Sequence, residues 1–74
     1  MTAVLHLVDA ELSALATETM RQQLAGGDRI TVVRLEGAPT PVVPDGVTLH
    51  RVPDDLTYAQ LLDLVFASDQ VISW

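Results

Sequence analysis

Six residues near the start, Ala3 to Val8, constrain this chain most. They are apolar on both parities, broken only by His6. A short apolar run without alternation belongs to a strand covered on both faces, the situation at the centre of a parallel sheet. A chain with such a strand must supply helices to cover it, and the sequence that follows alternates accordingly.

Asp9 is positioned to cap a first helix, with Glu11 in its opening turn where the helix dipole favours acid. Leu12, Leu15, Ala16, Thr19, Met20 and Leu24 keep helical spacing. Gly26-Gly27 ends the helix, since glycine adopts the left-handed conformation freely. Ile30 to Leu35 reads as a β-branched second strand, placed at an edge by Thr31 and Arg34. Pro39, Pro41 and Pro44 exclude a helix between Glu36 and Gly46 and favour extended chain. Asp45-Gly46 is a turn signal. Val47 to Val52 alternates as a third strand. Thr57 and Gln60 form a capping box for a second helix, and Leu56 with Leu61 a hydrophobic staple around it. Leu61, Leu64, Val65 and Ser68 continue its period, Asp69-Gln70 breaks it, and Val71 to Trp74 is a short last strand.

Strand, helix, strand, extended loop, strand, helix, strand predicts an α/β domain with a four-stranded, mostly parallel sheet. The loop permits this. A parallel return covers about 17–20 Å along the sheet and a sideways step of about 5–10 Å. About ten residues of polyproline-like chain reach about 31 Å. Right-handed crossovers then give the order 2-1-3-4 with one helix on each face. One helix per face leaves apolar surface uncovered, so a partner subunit is expected.

Composition narrows the function classes. The 74 residues include ten acids, four arginines and no lysine, for a net charge of −6. That balance excludes the basic footprint of a nucleic-acid binder. No apolar run reaches the roughly 18–20 residues of a membrane span, and the first residues lack the basic start of a signal peptide. The expected location is cytoplasmic. With no cysteine there is no disulfide, thiolate metal site or sulfur nucleophile. In a domain this small, 49% hydrophobic residues point to self-association or a partner as the missing staple.

Ligands of open α/β sheets sit beyond the carboxyl ends of the strands, where the order reverses. In the predicted order that mouth carries Asp9 and Glu11 after the first strand and Asp54 and Asp55 after the third. Phosphate is repelled there. No GxGxxG or GxxxxGK occurs, and no Walker lysine exists. Acids at these places also suit the Mg²⁺ site of a response-regulator receiver, but the lysine that site needs is missing. The plain reading of Asp9, Asp54 and Asp55 is helix caps and turn acids, and no cofactor is expected. His6 reads as a buried, hydrogen-bonded histidine, and His50 as a surface or interface residue. Ser13, Ser68 and Ser73 stand in no nucleophile context. Trp74 is either a core plug or an interface anchor.

Both ends of the chain resemble the DsrH/TusB family of sulfur-relay proteins. Val4-Leu-His-Leu-Val-Asp9 is similar to that family's "LHxxN" first strand, and Gly27-Asp28 with Glu36-Gly37 to its "GD…DG" segment. The ending is the more specific match. Tyr58, Leu61-Leu62, Leu64, the Ser68-Asp69 break and Trp74 fall where the family carries a tyrosine, an apolar pair, a leucine, a helix break and a near-terminal tryptophan. The chain departs from the family in two ways. A middle helix-and-strand unit around Gly37 to Gly46 is replaced by the Pro-rich loop, and the cysteine that some members carry in the first helix is missing. The resemblance implies a DsrE-like fold and a place among cysteine-bearing subunits that pass persulfide sulfur toward tRNA thiolation or sulfur oxidation. Without a thiolate the chain cannot carry sulfur itself. The expected function is a non-catalytic assembly subunit, as a homo-oligomer, with cysteine-bearing DsrE-like subunits, or both. A small interaction domain unrelated to sulfur transfer is the alternative. The expected docking residues are Tyr58, Leu61, Val71, Ile72 and Trp74.

Overall fold

A computed structural model describes residues 2–74. The element order is β1 (Ala3–Val8), α1 (Ala14–Ala25), β2 (Arg29–Arg34), β3 (Thr48–Arg51), α2 (Tyr58–Ala67) and β4 (Gln70–Ser73). All strands are parallel in one sheet, and β1 lies inside it as its two-faced apolarity requires.

Register assigns the faces. Val4, His6 and Val8 stand beside Ile30, Val32 and Arg34, while Leu5 and Leu7 stand beside Thr31 and Val33. Of the first set Val4, Val8, Ile30 and Val32 pack under α1 with Met20; of the second Leu5, Leu7 and Val33 pack under α2 with Val52, Leu61, Leu64 and Val65. One helix therefore covers each face. Leu5, Val32, Val33 and Met20 are fully buried, each contributing about 1.5–3 kcal/mol by leaving water.

The strand order is β3-β2-β1-β4, not the expected 2-1-3-4. The Pro-rich loop continues outward from β2 instead of stepping back past β1. Its Val43 and Val47 pack against the α1-face core, so the crossover runs on the same side as α1. Two right-handed crossovers on one face must advance in the same direction, and the one on the opposite face, through α2, must go back. The chain thus moves from β1 to β2 to β3, then returns beneath the sheet to place β4 beside β1.

This order makes β2 an inner strand rather than an edge. The Arg34 that suggested an edge is accommodated at the strand end. Its guanidinium donates to the Ala38 carbonyl at 2.9 Å and to Asp54 at 3.1 Å. The edges are β3 and β4, both only four residues long.

The helix ends differ in how well local chemistry predicts them. Ser13, not Asp9, caps α1; its hydroxyl accepts from the Ala16 amide at 3.1 Å. Asp9, Ala10 and Glu11 instead form the exposed connection from β1. Gly27 takes φ 89°, closing α1 through a hydrogen bond from its amide to the Leu24 carbonyl. Gly46 takes φ 93° in the turn before β3 and sits against Leu24. In α2 the capping box is complete. The Thr57 hydroxyl accepts from the Gln60 amide at 3.1 Å, and the Gln60 side chain accepts from the Thr57 amide at 2.8 Å. Thr57→Ala removes this cap without touching the core. It is expected to cost about 0.5–2 kcal/mol, read as a lower urea midpoint at unchanged slope. An unmoved midpoint would contradict the cap.

Candidate functional site

The observed order puts the reversal between β1 and β4, so the four acids are not gathered at one mouth. Asp9 and Glu11 follow β1, while Asp54 and Asp55 follow β3 at the far edge. Each of the latter takes an arginine. Asp54 pairs with Arg34 at 3.1 Å, and Asp55 accepts from Arg51 Nε at 3.1 Å and from the Arg51 amide at 2.8 Å. Those bonds hold the Asp55 carboxyl below its ordinary range. Among the described residues no group of three acids and histidines is placed to hold a metal ion.

What stands at the reversal is a side-chain chain linking the last strand to the first. The Trp74 indole N–H donates to His6 Nδ1 at 2.8 Å. Because Nδ1 accepts, the proton of neutral His6 sits on Nε2, which donates to Gln23 Oε1 at 2.7 Å. The two rings lie within 8° of parallel with centroids 6.0 Å apart, so they meet through the edge bond rather than face to face. His6 is fully buried with both ring nitrogens satisfied, as expected of a structural histidine.

Burial pushes the His6 pKa below its ordinary value, against a smaller opposing effect of the Gln23 bond. The folded state therefore prefers neutral imidazole, and protonation would also remove the acceptor for Trp74. A histidine whose folded pKa is depressed costs the fold nothing above the unfolded value of 6.5, destabilises it progressively as pH drops beneath that value, and the loss levels off below the folded pKa. Stability is expected to be flat from pH 8 to 7 and to fall as pH drops below about 6.5. Urea titrations of wild type and His6→Leu test this, the variant losing the slope in that window. Identical slopes would exclude His6 as the source.

The other site is a surface. Helix α2 buries no residue completely, and its two flanks differ. Gln60, Asp63, Leu64 and Ala67 face His50 of β3 and, with Leu56, line a cavity of about 320 Å³. Away from that cavity, with Asp63 at the border, Tyr58, Leu62 and Phe66 recur at every fourth position and form one stripe. They are exposed, Phe66 to 80%. Val71 of edge strand β4, on the same sheet face as α2, extends the stripe with 40% exposure. The Tyr58 hydroxyl donates to the Glu36 carboxylate at 2.9 Å, which fixes that end of the stripe and pushes the phenol pKa up.

Of the residues expected to dock, Tyr58 and Val71 lie on this ledge. Leu61 points inward beneath α2, Ile72 points into the α1-face core, and Trp74 packs against that core with its N–H on His6. Leu62 and Phe66, absent from the expected set, complete the ledge, and Phe66 is its most exposed member. Their spacing from Tyr58 was the available signal.

Comparison with protein-family models, with characterised proteins and with solved structures finds no match.

Proposed function

We propose that this chain is a non-catalytic assembly subunit of a sulfur relay, docking beside cysteine-bearing DsrE-like subunits. The observation that carries the assembly role is the ledge of Tyr58, Leu62, Phe66 and Val71, bordered by the open edge of β4. Three large apolar side chains in line on one helix flank are costly in water and are what partner docking covers. A short edge strand beside them offers free backbone groups for pairing. The relay setting rests on the resemblance of Val4 to Asp9 and of Tyr58 to Trp74 to the DsrH/TusB family. With no cysteine, the chain's contribution is to hold or orient the subunits that exchange persulfide sulfur through their own thiolates.

Co-expression with cysteine-bearing DsrE-like subunits tests this. The chain is expected to co-elute with them at micromolar concentration. In a reaction with labelled persulfide, sulfur is expected on the partner cysteine and not on this chain. Separate elution at micromolar concentration would overturn the assignment.

A further inference from the structure

We infer that the ledge fits a partner whose apolar groove is rimmed by lysine or arginine, and that it disfavours a second copy of this chain. The inference deepens the proposed function and rests on its reading of the ledge as a docking surface. From Val52 to Trp74 the sequence contains no arginine, lysine or histidine, but holds Asp54, Asp55, Asp63 and Asp69. Asp54 and Asp55 are neutralised by Arg34 and Arg51.

Three carboxylates remain around the ledge. Glu36 is held at the Tyr58 hydroxyl; Asp63, which lines the cavity, also stands three positions before Phe66 and so borders it on the outer side of α2; and Asp69 immediately precedes β4, accepting from the Ala3 amide at 2.8 Å. None of them joins an ion pair among the described residues. The ledge is therefore apolar carbon framed by carboxylates that no ion pair neutralises among the described residues.

A two-fold dimer places the same patch against itself. Burying the Phe66 stripes against each other would bring these carboxylates toward their counterparts with no cation supplied by α2 or β4 on either side. Like charges set together across an interface suppress that pairing. A cationic rim reverses the sign of every one of those contacts. The −6 charge of the whole chain also steers a basic partner inward and another copy away.

The test uses the full chain and two labelled helical peptides, one of leucine and lysine in heptad spacing and one of leucine and glutamate. The lysine peptide is expected to bind at least about tenfold tighter, and to weaken as salt rises. Phe66→Ala and Asp63→Lys are each expected to weaken it about tenfold, both variants keeping native circular dichroism. Asp45→Lys makes the same change in net charge on the α1 side of the sheet and is expected to stay within about twofold.

Equal binding of the two peptides, or an equal loss in Asp45→Lys, would overturn the inference. So would a wild-type dimer in sedimentation that Phe66→Ala dissociates, because the occupant would then be a second copy. The relay assignment fails separately: the lysine peptide would behave as described while DsrE-like subunits elute apart. A relay complex indifferent to Asp63→Lys would sink the charge argument and leave the assignment standing.

Discussion

Trp74→Ala is expected to abolish stable folding at room temperature. Replacing a packed tryptophan by alanine costs about 3–5 kcal/mol. A domain of this size without disulfide or metal holds a margin of about the same size. The ring packs, like Leu12, Leu24 and Ile72, against the α1-face core, and its N–H donates to His6 Nδ1. Trp74→Phe separates the two contributions. It keeps most of the apolar contact and removes the donor, leaving a buried acceptor without its partner at a cost of about 1–3 kcal/mol. Urea denaturation of the three proteins gives the order. Since Trp74 is the sole tryptophan, its fluorescence reports on the His6 contact directly. Equal midpoints for wild type and Trp74→Ala would mean that the ring contributes nothing to the core.

Phe66→Asp is expected to do the reverse, sparing the fold and losing the complex. The side chain is 80% exposed and belongs to neither core among the described residues. Substitution there should move monomer stability by no more than about 0.5 kcal/mol. Truncating a central aromatic anchor in an interface commonly costs about 2 kcal/mol or more, a loss of about thirtyfold in affinity. Adding a carboxylate beside Asp63 deepens that loss. Leu61→Ala is the contrasting variant. Leu61 lies four positions from Thr57 but on the inner flank against Leu5, Val33 and Val52. It should lower the melting temperature while leaving the ledge chemistry unchanged. A Phe66→Asp protein that still assembles with wild-type affinity would move the interface elsewhere.

The local chemistry of the chain was readable where one residue type has one good use. Thr57 with Gln60 could only serve as a capping box, and the two-faced run from Ala3 to Val8 could only be covered on both sides. His6 was expected to be buried and bonded, and it is. Strand order was not readable, because Thr31 and Arg34 look the same on an edge strand as on an inner strand with a polar end. The decisive fact, that Val43 and Val47 lie on α1's face, is a property of the loop's path and not of its proline content. Asp9 and Ser13 are both good caps, and the choice depended on how far β1 runs before the chain turns. Trp74, which packs on a core, and Phe66, which does not, carry the same signal in the sequence. Apolar size marks a residue for burial without saying whether its own chain or another provides the cover.

The pairing of β1 with β4 also sets a timetable. Val4 stands beside Gln70, whereas its partner on the other side is Ile30. Closure entropy rises with the length of chain enclosed, so the near pairing through α1 precedes the far one, and high contact order slows the whole process. Until β4 arrives, the most apolar strand of the molecule has one bare edge, and its α2 face is open to water. Intermediates of that kind are the ones that associate during refolding. Refolding yield should therefore fall as chain concentration rises, even though in the finished molecule β1 is paired on both sides.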